Sequence, residues 1–179
     1  MVYLFLADGF EEIEALTPVD MLRRAGIEIF TVSINATPTV TGAHGIKVVA
    51  DTTADRLTDD AADAVILPGG LPGADNLRMN KTVQRHIDLA VNDGKLVCAI
   101  CAAPRIPGEK GLLNNKTAVC YPGFEQYLKG AVISEEGCVR DGNVITAKGM
   151  GKSIDFACEI ITALKDAQTA EKIKNAIFA

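Results

Sequence analysis

The chain reads Lys95-Leu96-Val97-Cys98-Ala99-Ile100-Cys101-Ala102-Ala103-Pro104 at the point that decides its fold. The apolar run that ends at Ile100 is typical of a central strand, and the small residues around Cys101 allow a tight turn into a helix. Such an elbow carries its central side chain at the top of the sheet, where the helix N-terminus supplies N–H groups and positive potential. We therefore expect Cys101 to be a reactive thiol that ionises more readily than free cysteine. The alternative is an inert, buried cysteine that ends a strand.

Short apolar runs alternate with helical patterns along the whole chain. This alternation predicts an α/β fold in which a mostly parallel sheet lies between helices on both faces. Strands are expected near residues 2–7, 27–34, 63–68, 95–100, 117–120 and 144–147, and helices near residues 11–25, 80–92, 102–112 and 152–165, the last with Ser153 as its N-cap. Two hairpins are also predicted, one protruding from the sheet around residues 37–50 and one turning at Asp141-Gly142-Asn143. The length suits a single domain over residues 1–179.

The composition argues against several kinds of partner. A net charge of −5 and the lack of any Lys/Arg run disfavour nucleic acid. No apolar stretch is long enough to cross a bilayer and no basic leader precedes the first strand, so we expect a cytoplasmic protein that binds no membrane. Five cysteines without framework spacing suit a reducing compartment better than a disulfide scaffold.

Three loops are of interest, because the ligands of open parallel sheets bind beyond the carboxyl ends of the strands. The first loop, Asp8–Glu14, opens a helix whose early turns carry three carboxylates, which a positive helix end favours without any further function. Glu14 differs from the other two, since it borders a stripe predicted to face inward, namely Ile13, Leu16 and Thr17. A partly buried Glu14 would have a raised pKa and could exchange a proton with a nearby thiolate or substrate oxygen.

The second loop, Pro68–Gly73, places paired glycines directly after a strand. Gly69 and Gly70 either turn their backbone N–H groups toward a ligand, as an oxyanion hole beside Cys101, or simply punctuate a strand-to-helix turn. No Lys-Ser or Lys-Thr pair follows them, and the first strand is followed by Gly9 alone rather than by a Gly-x-Gly-x-x-Gly pattern. We therefore expect neither a dinucleotide nor any other cofactor.

The chain has only two histidines, His44 and His86, and both precede Cys101. A Cys-His hydrolase of the amidotransferase type needs a histidine after its cysteine, so the sequence disfavours that class. His86 is expected on the surface of its helix. His44 falls in the turn of the protruding hairpin, where it is either solvated or part of a site that reaches over a neighbouring subunit.

The other cysteines do not point to dithiol or metal chemistry. Cys98 and Cys101 form a Cys-x-x-Cys pattern, but Cys98 lies within the predicted strand and is expected in the core. Cys120, Cys138 and Cys158 are scattered without the paired spacing of metal ligands. We therefore predict no metal site.

Four segments taken in order resemble the ThiJ/PfpI superfamily, and most closely its parkinsonism-associated deglycase branch. They span much of the chain and are Leu6–Glu14, Pro18–Gly26, Leu67–Gly70 and Ala99–Pro104. The resemblance implies a flavodoxin-like three-layer sandwich that forms a homodimer. It also implies that Cys101 is the reactive elbow cysteine and that a protonated Glu14 is hydrogen-bonded to it. The implied oxyanion pocket is lined by Gly69, Gly70 and the backbone of Ala102.

The same resemblance implies a cofactor-independent enzyme acting on small reactive dicarbonyls. It would convert methylglyoxal to lactate as a glyoxalase, or remove such carbonyls from their adducts as a deglycase. The Cys101 thiolate would attack the aldehyde carbon while Glu14 carries a proton. Two alternatives remain open: an oxidative-stress sensor or chaperone that works through oxidation of Cys101, and an intracellular cysteine peptidase or amidase.

Two positions depart from the pattern of the superfamily. Many members carry a histidine before a proline after the elbow helix, where this chain has Tyr121. Tyr121 is therefore a possible pocket residue, and a peptidase would lack its usual base. The elbow helix contains Arg105-Ile106-Pro107-Gly108 in place of an apolar run, and because Pro107 has no N–H we expect this helix to be short or kinked.

Overall fold

Eleven strands and six α-helices are present along the 179 residues that the computed structural model describes. The strands are β1 (Val2–Leu6), β2 (Ile29–Ser33), β3 (Thr39–Thr41), β4 (Lys47–Val49), β5 (Thr52–Thr53), β6 (Ala64–Leu67), β7 (Leu96–Ile100), β8 (Thr117–Ala118), β9 (Val132–Ile133), β10 (Cys138–Asp141) and β11 (Val144–Ala147). The helices are α1 (Glu12–Arg24), α2 (Gly73–Met79), α3 (Lys81–Asn92), α4 (Arg105–Glu109), α5 (Ser153–Leu164) and α6 (Ala167–Ala176). None of these helices combines the length and apolar character needed to cross a membrane.

The main sheet has seven strands in the order β10-β11-β7-β6-β1-β2-β5. Every neighbouring pair in it is parallel except β10 and β11, which form the predicted antiparallel hairpin. Because β7, β6 and β1 are adjacent, the loops that follow them meet at one edge of the sheet. The predicted α/β sandwich with a mostly parallel sheet is therefore confirmed, and the three loops singled out in the sequence lie side by side.

Alternate residues of the central strands face opposite layers of helices, as the pleat of a strand requires. In β1, Val2, Leu4 and Leu6 join a cluster with apolar residues of α1, α5 and α6, whereas Tyr3 and Phe5 join a second cluster with α2, α3 and α4. Burial of each large apolar side chain contributes roughly 1.5–3 kcal/mol. Both faces of the sheet are thus held by helices, which leaves the ends of the strands as the place for a site.

The protruding hairpin is formed by β3 and β4, which pair antiparallel outside the main sheet. It is fastened to the loop after β1 by three backbone groups. Thr41 donates its N–H to Asp8 Oδ1 at 2.8 Å and accepts from the Gly9 N–H at 2.8 Å, while Ala43 donates to the Phe10 carbonyl. These contacts hold the hairpin beside the first turn of α1.

Several local predictions differ from the structure. Helices α2 and α6 were not predicted, because α2 is short and α6 buries only Ala170 and Ile173. The strand expected at 117–120 is the two-residue β8, which pairs with β9 in a separate sheet. Ser153 is not the N-cap of α5, since Lys152 holds that position and the Ser153 hydroxyl donates to the Met150 carbonyl at 2.8 Å.

Candidate active site

Cys101 lies in the sharp turn between β7 and α4, where the sequence predicts an elbow. Its φ is +64°, in the left-handed region that non-glycine residues seldom adopt and that costs on the order of 1–3 kcal/mol. Two backbone hydrogen bonds fix the strained turn: Cys101 donates to the Ala147 carbonyl at 2.9 Å and accepts from the Tyr121 N–H at 2.8 Å. The thiol is half-buried, whereas Cys98 is fully buried in the core. Cys101 is thus presented at the carboxyl end of β7.

Glu14 belongs to the first turns of α1 and is only 1% exposed. Its carboxyl accepts the Gly69 N–H at Oε2 at 2.9 Å, accepts the Met150 N–H, and is hydrogen-bonded to the Cys101 side chain. Burial raises the pKa of Glu14 to about 7, against the opposing effect of these hydrogen bonds. The predicted proton-exchanging carboxyl is therefore placed against the predicted thiol.

The stripe of Ile13, Leu16 and Thr17 was predicted to face inward, and this prediction is wrong. Ile13 and Leu16 are 48% and 37% exposed, and the inward face consists instead of Glu12, Glu14, Ala15, Pro18, Val19, Met21 and Leu22. Glu14 does not border the buried face but belongs to it. Two carboxyls near the start of the helix are thus buried, and each has a specific partner.

Gly69 brings its backbone against both members of the pair. A Cβ at this position would lie 2.6 Å from Glu14 Oε2, 2.7 Å from Cys101 Cβ and 3.1 Å from Cys101 Sγ, so only glycine fits. Its N–H is already donated to Glu14. The N–H groups that face the thiol are those of Gly70 and Ala102. Of the three predicted pocket residues, Gly69 therefore orients Glu14, and the other two donate toward the sulfur.

The thiol of Cys101 is not acidic in this arrangement. Burial, followed by the neighbouring charge of Glu14, raises the pKa of Cys101 to about 12, against the opposing N–H groups of Ala102 and Gly70. The prediction of a thiol more acidic than free cysteine is therefore wrong while Glu14 is ionised. Because Glu14 loses its proton near pH 7, at mildly alkaline pH the pair holds one proton, which the hydrogen bond between them shares. The pair behaves as a thiol with its own adjacent base.

Neither histidine is among the groups around Cys101. His44 is bonded to the buried carboxylate of Glu12 by its backbone N–H at 2.8 Å and by Nδ1 at 2.7 Å. His86 is only 2% exposed and packs edge-on against Tyr3, so the prediction of a surface histidine is wrong. No imidazole within this subunit is therefore available as a base for Cys101.

One group of side chains has the donors of a metal ligand set. Ligand atoms of Glu11, Glu12 and His44 lie within 4.8 Å of one another. Each has a structural role as well, because Glu11 caps α1 through the Glu14 N–H at 2.7 Å and Glu12 holds His44. This group fastens the hairpin to α1, next to the candidate site.

The loop after β11 supplies contacts that the sequence analysis missed. Met150 donates its N–H to Glu14, and the preceding Gly149 leaves room for Tyr121, whose Cδ2 would lie 3.4 Å from a Cβ at position 149. Tyr121 is 51% exposed and borders the site. The signal was present in the topology, because β11 is the neighbour of β7 and the loops after both strands must meet.

A surface cavity of about 760 Å³ lies at the opposite edge of the sheet, at the amino ends of the strands. It is lined by Met1, Asp63, Lys95 and Arg140 among others.

A mostly parallel sheet that presents a half-buried cysteine in a strained elbow, backed by a buried glutamate, defines a class of α/β proteins with an elbow cysteine. This chain belongs to the DJ-1/PfpI family, whose sequence model matches residues 1–163. The predicted resemblance is confirmed at this level.

Individual relatives agree with the family assignment. The chain is 36% identical over 174 residues to protein DJ-1 homolog B of Arabidopsis thaliana, a match that covers 96% of this chain and 40% of the relative. The chain therefore spans less than half the length of that relative. It is 30% identical over 168 residues to a deglycase of Pyrococcus horikoshii, with 92% of this chain and 100% of the relative covered. Oxidized DJ-1 of Toxoplasma gondii superimposes with a TM-score of 0.95 at 31% identity, over 99% of this chain and 97% of that chain.

Proposed function

We propose that this protein is a cofactor-independent enzyme that uses Cys101 to convert small reactive dicarbonyls such as methylglyoxal to hydroxy acids such as lactate, or to remove them from their adducts. The observation that carries the proposal is the hydrogen-bonded pair of Cys101 and Glu14, with the N–H groups of Gly70 and Ala102 directed at the sulfur. The similarity to a protein named a deglycase supports the same class of substrate. Glyoxalase and deglycase reactions begin with the same carbonyl chemistry.

The first step forms a bond from the Cys101 sulfur to the aldehyde carbon. The Glu14 carboxylate takes the thiol proton as the bond forms and passes it to the carbonyl oxygen, which gives a hemithioacetal. The negative charge that develops on this oxygen lies within reach of the donors of Gly70 and Ala102. The Cys101 thiol, whose pKa is raised to about 12, therefore need not be ionised before it attacks, because Glu14 removes its proton as the carbon–sulfur bond forms.

The later steps return every group to its starting state. Glu14 removes the hydrogen from the carbon attached to sulfur, which gives an enediol, and delivers a proton to the adjacent carbon, which gives a thioester. Water then hydrolyses the thioester to lactate, and the proton it releases restores the Cys101 thiol. One water is consumed for each methylglyoxal, and no oxidant or reductant is needed.

The proposal is tested by mixing the reduced protein with methylglyoxal in the absence of glutathione and following lactate. Wild type should form lactate, Cys101→Ser should not, and Cys158→Ser should match wild type, because Cys158 is a half-buried cysteine outside the site. Lactate formation that survives in Cys101→Ser would contradict the assignment. The deglycase form is compared by supplying the same carbonyl as a hemithioacetal or an amine adduct.

A redox sensor is the second candidate, because the same donors fit an oxidised sulfur. When Glu14 is protonated, its O–H can donate to Sγ beside the N–H groups of Gly70 and Ala102, an arrangement that would hydrogen-bond the oxygens of a sulfenic or sulfinic acid. Peroxide titration followed by mass spectrometry separates the two candidates. Selective oxidation of Cys101 with no consumption of dicarbonyl would favour the sensor. Peptidase activity has no base within the subunit, and an unchanged activity of His44→Ala would remove the remaining route through a partner.

We further propose that the chain forms a homodimer through an exposed apolar face of α1. Ile13, Leu16 and Ile46 are 48%, 37% and 54% exposed, which is unusual for large aliphatic side chains on neighbouring elements. They line a groove that also includes Ile154 and Ile177. A second copy that covers this face would bury these aliphatic side chains, which the fold leaves in contact with water.

A further inference from the structure

Arg105, one of the residues that depart from the family pattern, is buried in the structure. It begins α4 and is only 8% exposed. Its guanidinium is paired with the carboxylate of Asp75 in α2. The guanidinium carbon also lies 5.9 Å from the ring centroid of Phe124 and 5.8 Å from that of Tyr127. A cation with these contacts ties α4 both to α2 and to the turn at residues 124–127.

The backbone alone holds α4 weakly. The helix has five residues, and neither Pro104 nor Pro107 has an N–H to donate. It is held by a few backbone hydrogen bonds, such as the one that the Gly108 N–H donates to the Pro104 carbonyl at 3.0 Å. Gly108 lies directly against the Tyr127 carbonyl, since a Cβ there would collide with it. Side-chain contacts therefore add to these few backbone bonds in placing the elbow helix.

Each of the three segments that Arg105 joins is connected to a residue that presents a backbone group to Cys101. Helix α2 is bonded to the Gly70 loop, through the Ala74 N–H to the Gly70 carbonyl at 2.9 Å. The turn at 124–127 follows Tyr121, whose N–H holds the Cys101 carbonyl, and Phe124 donates back to Tyr121 at 3.1 Å. Helix α4 itself follows Ala102.

We infer that Arg105 is a positioning residue, which through Asp75 and the two aromatic rings fixes the N–H groups of Gly70 and Ala102 against the Cys101 sulfur. It acts at a distance from the reacting atoms and touches no substrate. Its effect on turnover rests on the proposed function, but its effect on the thiol does not. We call the contacts of Arg105 with Asp75 and the two aromatic rings the clamp. The clamp holds the short, proline-containing elbow helix in place.

The test measures the rate at which iodoacetamide alkylates Cys101 as a function of pH, by mass spectrometry, in Arg105→Met and Arg105→Lys. Loss of the two N–H contacts makes the thiolate less stable, so in Arg105→Met the alkylation rate should fall about tenfold at each pH between 7 and 9. Arg105→Lys keeps the charge beside Asp75 without the planar stacking and should be intermediate. Arg85→Met removes an exposed arginine of α3 that is paired with Asp59, and it should match wild type.

A second variant keeps the inference falsifiable where Arg105→Met does not fold. Asp75→Asn leaves the arginine in place, weakens the clamp, and should also lower the alkylation rate over the same pH range. A folded Arg105→Met whose pH profile and kcat equal those of wild type, with only its melting temperature lowered, would overturn the inference. A wild type that forms no lactate while its alkylation profile still responds to Arg105 would refute the proposed function and leave the inference standing.

Discussion

Gly69 donates its N–H to Glu14 Oε2 at 2.9 Å, and a Cβ added to it would lie 2.7 Å from Cys101 Cβ. One residue of the loop after β6 thus orients the carboxyl and limits the space of the thiol. The side chains come from α1 and from the elbow after β7, so their approach depends on the order of the strands. A substitution in the loop after β6 can therefore disturb the geometry of Cys101 and Glu14 with the least effect on the rest of the fold.

Replacement of Gly69 by alanine should abolish activity without unfolding the protein. The added methyl would lie 2.6 Å from Glu14 Oε2 and 2.7 Å from Cys101 Cβ, so the pair must separate. We expect kcat/KM for lactate formation to fall at least about 100-fold, the effect of a displacement near 1 Å. Gly151→Ala is the control, since a Cβ there meets open space. A Gly69→Ala protein with wild-type activity would show that the pair is not used as described.

The buried carboxyl of Glu14 should make the protein less stable as the pH rises through 7. Its pKa is about 7 in the fold and 4.5 as the reference value, so the protonated form is favoured by folding. The resulting stability is complete below pH 4.5 and is lost as the pH rises through the folded value, to a total of about 3 kcal/mol. Urea unfolding at pH 5 and pH 8 measures this loss.

Glu14→Gln is the matched variant, because it cannot titrate. The difference in unfolding free energy between pH 5 and pH 8 should be larger in wild type than in the variant by up to about 3 kcal/mol. Equal differences in the two proteins would mean that Glu14 titrates as an ordinary exposed carboxyl.

His86 should act in the opposite direction at acid pH. It is buried, its Nδ1 has no hydrogen-bond partner, and burial lowers its pKa below the usual value of 6.5. The unfolded chain then binds a proton before the folded one does, so stability falls as the pH drops below about 6.5. His86→Leu should flatten this part of the stability curve, measured by thermal unfolding between pH 7 and pH 5. A variant whose acid limb is as steep as that of wild type would exclude His86 as the cause.

A charge on the exposed face of α1 should disrupt the proposed dimer. Leu16→Glu places a carboxylate in the apolar groove and should give a monomer in sedimentation velocity, with secondary structure unchanged. Met79→Glu, at an exposed position outside the groove, should leave the oligomeric state as in wild type. A wild type that is monomeric at high concentration would refute the dimer proposal itself.

The sequence predicted those parts of the site that depend on local pattern. The apolar run before Cys101 and the small residues after it predict a strand-to-helix elbow without knowledge of the rest of the sheet. The glycines at 69 and 70 indicate that the backbone approaches another group closely there. The burial of Glu14 was predicted for an incorrect reason, because periodicity cannot distinguish an apolar stripe that faces the sheet from one that faces outward. The exposed Ile13 and Leu16 are such an outward stripe.

The remaining features depend on tertiary contacts that no local pattern records. Burial of Glu14 opposes the acidity that the elbow geometry would give Cys101, and the extent of this burial is known only from packing. Likewise, the sequence assigns Arg105 no partner, and only the fold brings Asp75 and two aromatic rings around it. Helix α2 was missed because a seven-residue segment has too few turns to show a helical period.

The central claim is that Cys101 and Glu14 act as one unit, and the most direct test is the rate of lactate formation from methylglyoxal in four proteins. These are wild type, Cys101→Ser, Glu14→Gln and the double variant, all without glutathione and all confirmed to be folded. Each single variant should lose about 1000-fold, and the double variant should lose little more, because removal of either member disables the pair. A folded single variant that forms lactate at the wild-type rate would contradict the claim.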